Sequence, residues 1–139
     1  APQGEDLAFD LAEDLPDALL VPEAIESILE NLVENARKYA PVDTSRPGAE
    51  PIRVVTRAEN GRVLLEVQDR GPGIAPEEKS RIFEAVYRVG NEATRTSRGT
   101  GLGLHLVLLH AESMGATVEV DEREGGGSVF RVGLRAANA

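Results

Sequence analysis

Apolar residues recur along the chain with two different periods, and each period predicts one type of element. Five segments alternate apolar and polar residues and are predicted to form half-buried strands: 7–11, 52–57, 62–69, 117–121 and 128–134. Two segments repeat apolar residues every three or four positions, which predicts long helices from Pro22 to the residue before Pro41 and over 101–114. A short strand at 19–21 and a short helix from Pro76 to Ile82 are also expected.

Glycine residues mark how these elements are joined. Asn60-Gly61 lies between two alternating segments and indicates a hairpin, and Gly115 is placed to end the second long helix in the left-handed conformation. The last two strands each have one apolar face, as in an antiparallel sheet covered on one side by helices. Residues 88–99 contain almost no large apolar side chain and are predicted to form a mobile loop. We expect one domain over residues 1–139, with a core at about 5–135.

The charge of the chain excludes some classes of function. The formal net charge is −9 and the pI is near 4.7, so the surface repels phosphate backbones and nucleic-acid binding is not expected. A bound triphosphate would need local help from a metal ion, helix N-termini and a few cations. The chain has no cysteine, which rules out disulfides and thiolate metal sites, and no apolar run of the ~20 residues that a membrane helix needs. These features suit a cytoplasmic domain, although they leave open whether its parent protein is anchored in a membrane.

The first long helix carries a polar flank beside its apolar stripe. Asn31, Asn35 and Lys38 are three or four residues apart and therefore neighbours on the helix surface. An amide oxygen there can ligate Mg²⁺, which needs few protein ligands, and Lys38 can meet a phosphate as a point charge. Taken alone, this pattern is better explained by two asparagines that bond to nearby backbone groups.

The strand over 62–69 ends in an acid that is followed by two glycines. Asp69 shares the face of Val63, Leu65 and Val67, so its carboxylate leaves the sheet on the side that the helices cover. It can accept a hydrogen bond from an exocyclic amine there, while Gly71 and Gly73 let the chain approach a planar ring. A tight turn with no ligand also accounts for Asp-x-Gly-x-Gly.

A run of glycines, Gly99-Thr100-Gly101-Leu102-Gly103-Leu104, leads directly into the second long helix. Backbone N–H groups at a helix N-terminus, with the helix dipole behind them, can bind an anion such as phosphate. No Gly-Lys-Ser/Thr follows, so this is not the phosphate loop of the nucleotide triphosphatases. A flexible hinge with close helix packing at Gly103 remains an alternative.

Taken together, these motifs resemble the GHKL superfamily of ATP-binding domains, and within it the sensor histidine kinases. Residues 31–39 resemble the N box of that family and 69–74 its G1 box, while 82–88 resemble the F box and 99–104 the G2 box. All four occur in the order of the family, and the resemblance covers residues 5–135.

The resemblance implies an α/β fold. Its two-layer sandwich has a mixed, mainly antiparallel sheet covered on one face by three helices, with ATP held between the two long helices under a mobile ATP lid. Asn35 would ligate Mg²⁺, and Asn31 and Lys38 would lie near the phosphates. Asp69 would accept a hydrogen bond from the adenine amino group. The other nucleotide-binding residues implied are Tyr39, Gly71, Gly73, Ile74, Tyr87, Arg88, Gly99, Thr100, Gly101, Leu102 and Gly103. Asn31, Lys38 and Arg88 are the residues expected to act in catalysis.

Two features depart from the family pattern. Ala85 and Val86 replace the usual Pro and Phe of the F box, which brings the stability of the lid into question more than nucleotide binding. The phosphoacceptor histidine normally lies on a separate dimerisation domain, and neither His105 nor His110 has the context of an acceptor. Both are expected to be surface or packing residues.

The resemblance favours a kinase over a hydrolase. Related ATPases, and usually the anti-sigma serine kinases, carry a glutamate one turn before the Mg²⁺-binding asparagine, where this chain has Asn31, an amide that cannot act as a general base. The implied function is transfer of the γ-phosphate of ATP to a histidine of the dimerisation domain, for relay to a response regulator. A module that only binds nucleotide is the alternative.

A second apolar face of the 101–114 helix is formed by Leu102, Leu106 and Leu109. This face is expected to meet the lid base or the dimerisation domain. The isolated catalytic domain is expected to be monomeric.

Overall fold

Seven regular elements and one short turn of helix form the part of the chain that the computed structural model describes, which is residues 2–79, 81–84 and 102–137. In chain order the elements are β1 (Leu7–Leu11), α1 (Pro22–Tyr39), β2 (Ile52–Glu59), β3 (Arg62–Asp69), a single 3₁₀ turn (Pro76–Glu78), α2 (Gly103–Ser113), β4 (Thr117–Glu122) and β5 (Ser128–Arg135). Every strand and both helices that the longer periodic segments predict are present, with ends that differ by a few residues.

The five strands form one mixed sheet in the order β1-β2-β3-β5-β4. β1 is parallel to β2, and the other three pairs are antiparallel. The register pairs Val67 with Phe130 and Asp69 with Ser128, which places all four residues on the face that packs against the helices. The mixed, mainly antiparallel sheet is thus confirmed, and Asp69 lies on the face that alternation predicts.

Both helices lay an apolar stripe on that face of the sheet. α1 begins at Pro22, whose missing N–H costs nothing in the first helical turn, and it buries Ile28, Leu32 and Ala36. α2 buries Val107 and Ala111 and is followed by Gly115, which has a φ of +67°. That left-handed conformation is one that glycine adopts without a steric penalty, as expected for a helix C-terminus.

Two expectations from the sequence were wrong. Two helices cover the sheet in the described residues rather than three, because the segment expected to run from Pro76 to Ile82 forms only a three-residue 3₁₀ turn followed by turns. Residues 19–21 form no strand: the segment pairs with the end of β5 only through a bridge between Ala18 and Ala136. Because α1 starts at Pro22, the segment before it is too short to form a ladder of backbone hydrogen bonds with β5. The predicted lid lies outside the described residues.

The opposite face of the sheet is covered by long charged side chains instead of helices. Leu64, Glu66 and Val129 point to this face and are nonetheless buried. Arg57 and Arg131 lie over them and pair with Glu66, so the aliphatic stems of the arginines shield the sheet from water. Among the described residues, none of the helices is long and apolar enough to cross a membrane.

Candidate nucleotide-binding site

The polar flank of α1 meets the first turn of α2. The Asn31 side chain is oriented by its amide nitrogen, which donates to the Ser27 carbonyl oxygen at 2.9 Å and lies 3.3 Å from Ser27 Oγ. Its amide oxygen faces Gly103: a β-carbon placed on that glycine would lie 3.3 Å from Asn31 Oδ1. The fold therefore brings together two residues that are 72 positions apart in the numbering and that the sequence assigned to different boxes.

Three further residues of α1 continue this flank towards the end of the helix. Asn35 is half-buried, and its amide makes no hydrogen bond to any part of the chain that the structure describes. Lys38 is also half-buried, with its Nζ 5.7 Å from the centroid of the Tyr39 ring, close enough for a cation–π contact. The Tyr39 side chain is exposed, and the half-buried Asn35 and Lys38 each keep part of their surface accessible to a ligand.

The carboxylate at the end of β3 is buried but only partly satisfied. Asp69 is 5% exposed, and its Oδ1 accepts hydrogen bonds from the backbone N–H groups of Gly71 at 2.8 Å and Ser128 at 3.3 Å. Burial raises the pKa of Asp69, while those two N–H groups and the charge of Arg123 act in the opposite direction. Oδ2 accepts no hydrogen bond from the residues that the structure describes, so Asp69 retains an acceptor for a ligand.

The two glycines of this turn are required for different reasons. A β-carbon on Gly71 would lie 2.8 Å from the Ala40 β-carbon and 3.3 Å from the Tyr39 carbonyl oxygen, so the turn packs directly on the end of α1. Gly73 has a φ of +79°, which other residues rarely adopt. Ile74 follows and packs against the core. Asp69, the end of α1 and Ile74 consequently belong to one continuous surface.

The segment that resembles the F box is anchored to both layers of the fold. Ile82 is fully buried, and the ring of Phe83 meets Phe130 edge to face with the centroids 6.3 Å apart. His105 Nδ1 lies 3.0 Å from the Phe83 carbonyl oxygen, so it donates when that nitrogen carries the proton. This contact ties α2 to the residues that precede the predicted lid. Sequence reasoning missed it, because nothing near either residue indicates the other.

Some predicted site residues cannot be placed. Tyr87, Arg88, Gly99, Thr100 and Gly101 lie outside the described residues. Leu102, immediately before α2, is described and is 37% exposed. The structure thus brings Asn31 against Gly103, with Asn35 and Lys38 further along the same flank of α1, and it places Asp69, Gly71, Gly73 and Ile74 in one segment beside the end of α1.

Comparison with known proteins gives a consistent picture at the level of the domain. The family described as histidine kinase-, DNA gyrase B-, and HSP90-like ATPase matches residues 20–138. The sensor protein SrrB of Staphylococcus aureus is 33% identical over 110 residues, which cover 79% of this chain. The same match covers 18% of SrrB, so the chain spans about a fifth of the length of the curated relatives it matches.

Solved structures of similar fold include full-length ShkA and the catalytic domain of a histidine kinase. Full-length ShkA, crystallised in complex with AMPPNP, superposes with a TM-score of 0.73 at 30% identity, covering 94% of this chain and 26% of that one. The catalytic domain of the histidine kinase ThkA, in a nucleotide-free form, gives 0.68 at 26% identity, covering 94% and 80%. The chain belongs to the histidine kinase-, DNA gyrase B-, and HSP90-like ATPase family, and within it is a catalytic, ATP-binding domain of the sensor histidine kinase type.

Proposed function

We propose that this domain transfers the γ-phosphoryl group of ATP to a histidine on a separate helical dimerisation domain, from which an aspartate of a response regulator receives it. The observation that carries the proposal is the environment of Asn31. Its amide nitrogen is engaged by Ser27 and its oxygen faces Gly103, so the position where ATP-hydrolysing relatives are expected to carry a glutamate holds a group that cannot take a proton from water. Glu30 and Glu34, the acids of α1 nearest to Asn31 in the sequence, are both exposed to solvent.

The adenine amino group is proposed to bind Asp69. The free acceptor of this carboxylate, its Oδ2, can receive the exocyclic N–H of adenine, while Oδ1 stays held by Gly71 and Ser128. Guanine presents a carbonyl oxygen at the corresponding position, which would face the carboxylate without a proton between them. Gly71, Gly73 and Ile74 would line the ring, with Tyr39 at the edge of the same pocket.

The residues on α1 fit a magnesium ion. Mg²⁺ takes oxygen ligands and retains several waters, so it needs only one or two from the protein. Asn35 offers an amide oxygen that has no other partner in the described part of the chain and that is half-exposed beside Asn31. When bound, the ion would neutralise charge on the triphosphate. Asn35 is the proposed ligand, and Asn31 is proposed to position the phosphates.

The phosphates are proposed to bind between Lys38 and the start of α2. Gly103 opens α2 and carries no side chain that would keep an anion away from the N–H groups of the first turn. Lys38 provides a cation on the facing helix. Gly99, Thr100, Gly101 and Leu102 would complete the phosphate contacts, with Tyr87 and Arg88 reaching in from the lid. Because phosphoryl transfer depends mostly on positioning and charge neutralisation, Asn31, Lys38 and Arg88 are the proposed catalytic residues.

The acceptor domain is proposed to dock on the outer face of α2. Leu106 and Leu109 are 40% and 46% exposed, and with Leu102 they form an apolar strip on the side of α2 opposite the buried Val107 and Ala111. Both histidines of the chain lie on α2, where the His105 ring is engaged by Phe83. If the acceptor histidine lies on another domain, apolar helices of that domain would cover the strip. The whole chain, with its core at about 5–135, is proposed to be one such catalytic unit.

Calorimetric titration of this domain with ATP, with and without Mg²⁺, tests the nucleotide site. Saturable binding that tightens with Mg²⁺ is expected, and Asn35→Ala should remove only the part that depends on Mg²⁺. Addition of the histidine-containing domain and γ-labelled ATP then tests transfer. Label on that histidine supports the kinase, whereas ATP binding without any transfer supports a module that senses nucleotide, the alternative for which the altered F box leaves room. Release of inorganic phosphate without a labelled protein would identify an ATPase.

A further inference from the structure

A cavity lined mainly by arginines lies on the open face of the sheet. Its volume is about 620 Å³, and its charged lining residues are Arg53, Arg57, Arg70, Arg123, Arg131, Glu66 and Glu124. Five cations and two carboxylates line it, and four further carboxylates pair with these arginines from its rim: Glu50, Glu59, Glu119 and Asp121. The charge is distributed unevenly between the two ends of the cavity. Asp69 and the apolar stripes of both helices lie on the other face, so this cavity is separate from the nucleotide site.

One end of the cavity is electrically balanced. The Glu66 carboxylate accepts hydrogen bonds from Arg131 Nε at 2.6 Å and Arg57 NH2 at 3.1 Å. Arg131 also pairs with Glu119 at 3.0 Å and Asp121 at 2.7 Å. These contacts give every charged group at this end a partner, and they account for the stability of the face without any ligand.

The other end carries excess positive charge. Arg70 Nε and Arg123 NH2 converge on a single oxygen, Glu50 Oε2, at 2.8 and 3.9 Å. The Glu50 side chain is 54% exposed, so it neutralises its partners only weakly. Arg53 lines the same end and makes no ion pair with the residues that the structure describes. Three guanidinium groups thus share one ion-paired carboxylate at this end, while the exposed Glu124 lines it without an ion pair to the residues that the structure describes.

Arg123 is the least satisfied of the three. Only 8% of its side chain is exposed, and its NH1 atom is buried without a hydrogen-bond partner. Burial lowers the pKa of Arg123, and the neighbouring charge of Arg70 lowers it further. A buried cation without a full set of partners costs stability, so a ligand that supplies negative charge here would be bound with a favourable free energy.

We propose that Arg53, Arg70 and Arg123 form a second anion site, for a small oxyanion that carries two or more negative charges. Guanidinium groups match the geometry of phosphate and carboxylate oxygens, and Glu50 Oε2 already shows where one such oxygen is held. A multivalent ion fits better than a monovalent one because the three guanidinium groups share a single ion-paired carboxylate. The cavity is also within the size range of small-molecule sites.

Calorimetric titration with inorganic pyrophosphate in Mg²⁺-free buffer tests this site, with potassium chloride of equal ionic strength as the reference. Saturable binding is expected, weakened about tenfold in Arg53→Gln and in Arg123→Met, since each removes one charge-assisted contact. Arg135→Gln, which removes an exposed charge at the far end of β5, is the matched control and should leave the affinity unchanged.

Three results would overturn the proposal. The first is the absence of saturable binding, and the second is an equal loss in Arg53→Gln and Arg135→Gln, which would indicate general electrostatic attraction. The third is a loss in Lys38→Ala alone, which would place pyrophosphate in the nucleotide site. If Arg123→Met does not fold, the exposed Arg53 decides the question. Loss of ATP binding does not affect this test, because the two sites use different residues.

Discussion

The amide oxygen of Asn31 faces Gly103 so closely that a β-carbon there would lie 3.3 Å from it. Gly103→Ala should therefore displace the Asn31 side chain and lower ATP affinity about tenfold, although alanine favours the helix by about 1 kcal/mol and should not lower the melting temperature. Calorimetry and thermal denaturation measure the two effects. In the double variant with Asn31→Ala, the alanine at position 103 should have little further effect; an undiminished effect would mean that Gly103 acts on the phosphates directly.

The base preference of the site should depend on Asp69. Asp69→Asn replaces one acceptor oxygen by a donor and should lower the preference for ATP over GTP by about tenfold, the size of one charge-assisted hydrogen bond. Competition titrations with the two nucleotides measure it. An unchanged ratio would show that Asp69 has only a structural role in holding the Gly71 and Ser128 N–H groups.

The pH dependence of nucleotide binding should also involve Asp69, because its folded-state pKa is raised above 3.8 by burial. ATP binding needs the ionised form, so affinity should fall as the pH decreases through that raised pKa. The same shift makes the ionised carboxylate a cost to folding: between 3.8 and the raised pKa, stability should fall as the pH rises. Asp69→Asn should abolish both dependences.

The opposite pH dependence is expected at Glu66. Burial alone would raise the pKa of Glu66, but hydrogen bonds from Arg131, Gln68 and Arg57 outweigh it and lower the pKa below 4.5. This carboxylate therefore stabilises the fold above pH 4.5, and its contribution is lost as the pH falls through the lowered pKa. Glu66→Gln should cost about 3 kcal/mol near neutral pH, since it removes the buried charge that accepts hydrogen bonds from Arg57 and Arg131. Both arginines keep their exposed acidic partners, Glu59 for Arg57 and Glu119 with Asp121 for Arg131.

Denaturant unfolding of the wild type and of Glu66→Gln from pH 7 to pH 3 measures this contribution. The difference in unfolding free energy should shrink once the pH is below 4.5. Glu59→Gln is a suitable control, because Glu59 is half-exposed and also pairs with Arg57. It should change stability by less than about 1 kcal/mol. A difference that is independent of pH would mean that side-chain packing, and not charge, sets the cost at Glu66.

The apolar strip on α2 should matter for phosphoryl transfer and not for ATP binding. Leu106→Glu puts a charge on a surface that is already 40% exposed, so the domain should fold and bind ATP while transfer to the acceptor domain falls at least about tenfold. Leu11→Glu alters a leucine that is 55% exposed at the end of β1, on the sheet edge opposite β4, and should leave transfer intact. Equal loss in both variants would contradict docking at this strip.

Most of the fold could be predicted from the sequence because apolar residues recur with a period of two in the strands and of three or four in the helices. Alternation placed Asp69 on the helix side of the sheet, and burial of Val63, Val67 and Asp69 agrees with it. The failures were local. Residues 19–21 have the composition of a strand, but the only pairing beside them is one bridge to the end of β5. The segment that begins at Pro76 was expected to be a helix, but only Pro76–Glu78 is helical, as a single 3₁₀ turn.

Contacts between distant parts of the chain could not be inferred in this way. The contact of His105 with the Phe83 carbonyl depends on how α2 crosses the F-box segment, and the convergence of Arg70 and Arg123 on Glu50 depends on three separate loops. Neither has a local pattern in the sequence. Motif order indicated which residues share the nucleotide site, whereas the position of each side chain required the fold.

Asp69 and Arg70 are consecutive residues that serve opposite faces of the sheet. The first turns its carboxylate towards the helices, while the second donates to the carbonyl oxygens of Glu124 and Gly126 on the open face. Coupling between two binding equilibria is reciprocal: if an anion on the open face changes nucleotide affinity through this turn, nucleotide must change anion affinity by the same factor. A single peptide unit is thus the covalent path by which the two proposed sites would communicate across the thickness of the sheet.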